Sequence, residues 1–311
     1  MTFAITLSGS AVTLPDDIPF NAVNTYATAR RLREYLTLGN EDVADDNLLK
    51  KMLYAASRSF DRHTKRRFYP YRQTRLYDLP EQRDLLRFHD DLLESYGLSH
   101  LNGAQTVAST VYWLRNGDDW NSTPYNEIEL KRSSGSLFNF VADRKRAISL
   151  DGLWGYREQY NENEGWIDSR GTLTNAVTSA QSLFAVSASQ GFNSKGFVPR
   201  FAEGQLWRLG DEIVSVLEFE TPTAARVIRG INGTTAASHG SGITIQTWQP
   251  EPEIEEATLR LSAYTYEKSK SPYTGRVMIP NMNMIEIPEA WPADVKIIMD
   301  RYRRTGFNKL Y

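Results

Sequence analysis

From Asp46 to Phe60 the apolar residues Leu49, Met52, Leu53, Ala56 and Phe60 recur at three- and four-residue spacing, which winds them onto one stripe of an α-helix. Asp45 or Asp46 suits the start of that helix, because a carboxylate there meets unpaired N–H groups and the positive end of the dipole. Lys50, Lys51, Arg58 and Arg62 lie largely off the stripe. Tyr69-Pro70-Tyr71 is expected to end it, since the residue before a proline avoids helical geometry. An earlier helix is expected from about Asn24 or Thr25 through "TYATARRLREYLTLG", with Gly39 as its stop. Two more are expected at the far end. "PEIEEATLRLSAYTYEKSK" sets Ile254, Ala257, Leu261 and Tyr264 on one face with acids in its first turn, and "PADVKIIMDRYRR" stacks Val295, Ile298, Met299 and Tyr302.

Between these ends the texture is that of short strands. "TRLYDL", "DLLRFH", "TVYWLRNG", "NEIELKR" and "AISLDGLWGY" fall between 72 and 160, punctuated by Asn and Gly. A second block, 180–249, contains "SLFAVSAS", "GQLWRLGDEIVSVLEF", "ARVIRGINGT" and "GITIQTW", with Gly210-Asp211 as a hairpin turn. "AITL-SGS-AVTL" at 4–14 reads as two short strands or a frayed terminus, and Pro15 and Pro19 make the following stretch a linker. The fold class expected is therefore α+β: a helical-bundle core formed by N- and C-terminal helices, with a β-rich insertion between them. The expected divisions are an arm at 1–24, a helical core from 25–71 and 250–311 that includes a C-terminal tail, a β-rich region at 72–179 packed on that core, and an inserted β-domain at 180–249.

Charge changes this picture more than composition does. The net charge of the 311 residues is −2. Residues 58–75 alone carry +6 and residues 296–311 carry +4, so the remainder of the chain carries −12. Two basic islands on an acidic body favour matching between unlike faces of neighbouring molecules. Cysteine is absent, which excludes disulfides, cysteine nucleophiles and thiolate metal sites. No run approaches the apolar length of a membrane span, and "MTFAITLSGSAVTLP" does not resemble a signal peptide, so the expected setting is the cytoplasm and no membrane partner is expected.

The sequence carries no phosphate-loop, nucleophile-elbow or H-E-x-x-H signature. "GINGTTAASHGSG" matches no phosphate-binding spacing and reads as turns. The histidines, His63, His89, His100 and His239, are scattered. Three aspartate pairs stand out, since metal-dependent nucleases gather carboxylates. Asp45-Asp46 is read as helix capping, Asp118-Asp119 as a turn and Asp90-Asp91 as a solvated loop. The expectation is a protein that is not an enzyme, with no catalytic, cofactor-binding or metal-binding residues. In "FDRHTKRRFYPYRQTR", residues 60–75, rings and cations interleave. Such a stretch either stacks bases and tracks phosphates or cements protein surfaces through cation–π contacts. The second use is the one expected, with nucleic-acid binding by residues 58–75 as the alternative.

The order "TARRLREYLTL", "LLKKMLYAASRSFDRHTKRRFYPYRQTRLYD", "DLLESYGL" and "RAISLDGLWGY" resembles the head-to-tail adaptor (connector) proteins of long-tailed bacteriophages and gene transfer agents. "GQLWRLGDEIVSVLEF" through "GINGTTAASHGSG", and then "IEEATLRLSAYTYEKS", resemble a segment of longer members. The likeness covers roughly 25–160 and 205–270 and is a pattern of apolar and aromatic positions. It implies a helical adaptor assembled as a ring, usually of twelve copies, at the head-tail junction of the virion. The partners implied are the portal, a stopper or tail-completion protein, and genomic DNA passing through the lumen without specific binding. It further implies a portal-docking tail, here Arg301, Arg303, Arg304, Phe307, Lys309, Leu310 and Tyr311. The cations Arg62, Lys65, Arg66, Arg67, Arg72 and Arg75 are the expected inter-subunit contacts.

Overall fold

The protein is described from a computed structural model, over residues 6–7, 10–11, 22–38, 45–117, 122–162, 164–270, 277–278, 285–286 and 291–304. Two-residue strands β1 (Thr6–Leu7) and β2 (Ser10–Ala11) pair antiparallel. Helix α1 (Ala29–Tyr35) is shorter than its sequence pattern suggests, because Thr28 caps it by accepting the Arg31 N–H. Helix α2 (Asp46–Thr64) buries the whole Leu49–Phe60 stripe. It ends earlier than Tyr69-Pro70 would impose: Lys65 takes a left-handed conformation (φ 59°) and its N–H returns to the Asp61 carbonyl.

The chain then enters strands β3 (Tyr71–Tyr77), β4 (Leu85–His100), β5 (Gln105–Val107), β6 (Tyr112–Arg115), β7 (Tyr125–Leu130) and β8 (Ile148–Trp154). These form one antiparallel sheet in the order β3-β8-β4-β7-β6, with β5 also paired to β4. Strands β9 (Trp166–Thr172), β10 (Leu183–Ala185), β11 (Leu206–Leu209), β12 (Glu212–Thr221), β13 (Ala224–Ile228) and β14 (Thr244–Trp248) form a second, in the order β10-β13-β12-β11-β14-β9. The hairpin expected at Gly210-Asp211 joins β11 to β12, with Leu209 opposite Glu212. Helix α3 (Pro252–Lys270) follows with the bounds of its sequence pattern, then the short pair β15 (Val277–Met278) and β16 (Ile285–Glu286), and helix α4 (Ala293–Arg301).

The expected helical-bundle core with a β insertion is not what forms. The protein is mostly β, built on two six-stranded antiparallel sheets with four helices among the described residues. Two strands account for much of the difference. β4 runs for 16 residues, but its pairing shifts register between Arg87 and Leu92, Leu92 and Glu94, and Ser95 and Gly97. Each irregularity changes which residues face inward, so the strand never shows a sustained period of two. β9, "WIDSRGT", contains Asp and Gly, residues depleted in strands, yet it pairs along β14 and closes the edge of the second sheet.

One apolar cluster ties helices and sheets together. Phe60 of α2 and Phe68 beyond it meet Leu93 of β4, Leu153 of β8, Trp166 of β9, Ile213 of β12 and Trp248 of β14. Ile254, Ala257 and Leu261 of α3 and Val295 and Met299 of α4 join the same cluster. Each sheet has in addition its own buried set, around Phe88 and Ile128 in the first and Phe184 and Val214 in the second. Polar bonds tie the two sheets and their flanking segments together. The Arg72 N–H donates to the Asn232 carbonyl at 2.8 Å, Arg208 of β11 pairs with Glu94 of β4 at 2.9 Å, and the Trp248 indole donates to the Phe68 carbonyl at 3.0 Å.

Candidate interaction surface

The basic-aromatic stretch divides by residue type. Its rings face the core: Phe68 is fully buried and Tyr69 nearly so. Burial of Phe68 is reinforced by edge-on contacts with Tyr26, Tyr156 and Tyr302 at 5.5, 5.6 and 5.7 Å between centroids, an arrangement that sets ring edges against ring faces. The buried Tyr26 hydroxyl accepts the Phe68 N–H at 3.0 Å and donates to Asp61. Burial first, and then the neighbouring Asp61 charge, push that hydroxyl well above its ordinary pKa.

The cations mostly find partners within the chain. Arg58 pairs with Asp61 at 3.2 Å, lies 5.0 Å over the Tyr69 ring and donates to the Asn24 carbonyl at 2.8 Å. Arg66 lies 4.4 Å over Tyr156, donates to the Tyr302 carbonyl at 2.9 Å and pairs with Asp91. Arg72 pairs with Asp151 at 2.9 Å and lies 4.6 Å over Tyr96. Arg75 stacks 4.0 Å over Trp154 and pairs with Asp90. Three of the expected inter-subunit residues remain exposed: Arg62, which bonds the nearby Ser59 hydroxyl, Lys65, and Arg67, which lies 5.2 Å over Tyr71; Asp61 interacts with both Arg62 and Arg67.

The second basic segment arrives at the same place. The N–H of Arg304, just beyond α4, donates to the carbonyl of Thr64, the last residue of α2, at 2.8 Å. Its guanidinium pairs with Asp90 at 2.9 Å and with Asp91. Asp91 is thus shared by Arg66 and Arg304, which stand 238 positions apart in the sequence. Burial pushes the Asp91 carboxyl above its ordinary range, while Arg66 and Arg304 pull against that. A carboxylate this enclosed persists only with its charge matched.

Asp90-Asp91 is therefore no solvated loop. Both residues lie within β4, at the register break between Arg87 and Leu92, and Asp91 is buried. Asp45 also departs from its expected role: it stands at the N-cap of α2 but makes no side-chain cap bond, and instead accepts from the Tyr266 hydroxyl at 2.5 Å and pairs with Lys270 at 3.3 Å. Asp118-Asp119 lies outside the described residues.

Among the expected portal-docking residues, Arg301 pairs with Glu253 at 2.6 Å, Arg303 is exposed and Arg304 is clamped as described. Phe307, Lys309, Leu310 and Tyr311 lie outside the described residues. Arg304 of one expected set meets Lys65, Arg66, Arg67 and Arg75 of the other around a cleft of about 240 Å³, which is also lined by Tyr71, Asp90, Asp91, Trp154 and Gly155; Arg301, Arg303, Arg62 and Arg72 do not line it. Sequence reasoning singled out all seven of its charged residues but missed that the aspartate pair stands between the basic islands. The available signal was the charge count: two unneutralised basic segments and one unexplained acidic pair.

The histidines do not converge. His63 meets Asp300 at 2.6 Å, His100 accepts the Asn139 N–H at 3.2 Å, and His239 meets Glu212 at 2.7 Å. His89 is exposed on β4. Among the described residues no group of three or more His, Asp or Glu side chains is arranged to hold a metal ion, and no helix is long and apolar enough to cross a membrane. The "GINGTTAASHGSG" loop is more than a series of turns. It wraps the buried Glu212 carboxylate, which accepts from Arg229 at 2.7 and 2.6 Å and from the Gly230 and Ala237 N–H groups at 3.1 Å each.

No family model, curated protein or solved structure matches the chain.

Proposed function

We propose that the protein is a structural component of a bacteriophage virion, a head-to-tail adaptor. It assembles as a ring, twelve-membered in the family its sequence resembles, between the capsid portal and a stopper or tail-completion protein. Its lumen extends the DNA channel without binding DNA specifically. The reading begins from the residue pattern of 25–160 and 205–270 and does not depend on a helical-bundle fold.

The observation that carries it is the clamp on Arg304. A docking segment transmits force only if its root is fixed, and here the backbone N–H is held by Thr64 while the guanidinium is held by Asp90 and Asp91. Residues 305–311, "GFNKLY" preceded by Thr305, follow directly and supply Lys309 with Phe307, Leu310 and Tyr311. Phe307 and Tyr311 are of the aromatic type enriched at protein interfaces. The exposed Arg62, Lys65 and Arg67 are the cations left over for a neighbouring subunit.

The nucleic-acid alternative loses support because Arg58, Arg66, Arg72 and Arg75 are engaged by carboxylates and rings of the same chain, which removes them from a phosphate track. The test is electron microscopy of the protein mixed with portal rings of the same phage. Full-length protein should form a collar on the portal, and a variant lacking residues 305–311 should melt at the same temperature but leave the portal bare. A truncated protein that docks as well as the full chain, or a full chain that never docks, overturns the proposal.

A further inference from the structure

The cleft at Arg304 is lined by more cations than carboxylates, and Asp61, outside the lining, answers part of the Arg67 charge. Five cations line it, Lys65, Arg66, Arg67, Arg75 and Arg304, against the two carboxylates Asp90 and Asp91. Arg66, Arg75 and Arg304 are committed to those carboxylates. Lys65 and Arg67 are not, and both are exposed. The α2 carbonyl nearest the cleft, that of Thr64, already accepts the Arg304 N–H, so the negative end of the helix dipole is in part answered there. A concave site with excess charge of one sign and low-dielectric walls focuses its field on whatever enters. Here the walls are the Trp154 and Tyr71 rings, with Arg75 and Arg67 stacked on them.

We infer that this cleft is a receptor for a carboxylate side chain, presented by an acidic segment of a protein partner. The shape favours that ligand over nucleic acid. A duplex or a single strand offers a line of phosphates and is matched by cations strung along a track. In this cleft the cations line one small volume, which suits a single compact acceptor taking charge-assisted bonds from the Arg67 guanidinium and the Lys65 ammonium. The inference rests on the cleft alone and holds whether or not the protein is an adaptor.

The experiment is fluorescence anisotropy of labelled hexaglutamate titrated with the full-length protein, alongside labelled oligothymidylate and hexalysine. Hexaglutamate should bind, lose affinity as salt is raised, and weaken by about tenfold or more in Lys65→Glu and in Arg67→Glu, the loss expected when a bond to a charged group is removed. Lys145→Glu, at an exposed position outside the cleft, should bind like the parent. Thermal melts of the three variants check that each is folded, and neither Lys65 nor Arg67 is buried. Failure of hexaglutamate to bind, or binding indifferent to Lys65→Glu and Arg67→Glu, overturns the inference. So does oligothymidylate binding more tightly than hexaglutamate with the same dependence on Lys65 and Arg67.

Discussion

Gly233 lies against the backbone of Arg72 so closely that a Cβ added to it would stand 2.0 Å from the Arg72 carbonyl oxygen. This is where the loop following β13 touches the edge strand of the other sheet, and the neighbouring Asn232 carbonyl accepts the Arg72 N–H at 2.8 Å. Asn232 also exchanges two amide hydrogen bonds with Asn24, each of 2.8 Å. One short loop therefore joins the second sheet to the first and to the segment leading into α1. The glycine is required twice over, by this approach and by its φ of +79°.

Gly233→Ala should consequently destabilise the protein by more than the roughly 1–2 kcal/mol that a left-handed conformation alone costs an alanine, since the backbone must also move apart. Thermal or urea unfolding measures it. Gly240→Ala, at a glycine with open space around its missing Cβ, is the control and should be close to neutral. Equal stability of the two variants would refute the contact.

Asp91→Ala leaves Arg66 and Arg304 without their shared carboxylate in a mostly buried place. Removing one partner from such a group costs about 3–5 kcal/mol, and equilibrium denaturation should register a loss of that size. The effect should resist added salt better than an exposed pair would, because little solvent reaches Asp91.

Tyr26→Phe removes one hydroxyl that serves two groups. The Phe68 N–H loses its acceptor and Asp61 loses a donor, while the ring contacts with Phe68 and Tyr69 survive. A buried donor left unpaired costs about 1–3 kcal/mol. Hydrogen exchange should show the Phe68 amide losing protection ahead of its neighbours in α2.

Acid should loosen the loop around Glu212. Burial raises the pKa of that carboxyl, but the bonds from Arg229, the Ala237 N–H and His239 outweigh it and hold the value below the ordinary 4.5. A carboxyl depressed in the folded state contributes stability that is present above 4.5 and is lost as pH falls through the folded value. Peptides from 229–242 should therefore lose protection, measured against the intrinsic exchange rate at each pH, below about pH 4.5. In Glu212→Gln they should exchange faster already at neutral pH and respond less to acidification.

Much of the local structure was legible in the chain. The α2 stripe and the α3 limits follow from the 3.6-residue period, and the Gly210 turn follows from its residue type. The fold class was not legible, for reasons visible in particular strands. β4 breaks its alternation at three register shifts, and β9 interrupts its strand-forming Trp, Ile and Thr with Asp, Ser and Gly, residues common in turns. Of the cleft, the cations could be read from the sequence and their answering carboxylates could not. Asp90 and Asp91 look like any surface pair until the bulged strand that bears them is folded between Arg66 and Arg304.

The sequence by itself determined which segments become helices, that rings and cations alternate after α2, and that charge is unevenly divided. Those properties are local: they depend on neighbours a few positions away and on side-chain chemistry. Only the tertiary structure decided that two like-charged segments, far apart in the chain, lie side by side. Repulsion between them opposes that meeting. It forms because burial of Phe60, Phe68, Val295 and Met299 in one cluster draws α2 and α4 together, and because Asp91 stands between the two arginines when they arrive.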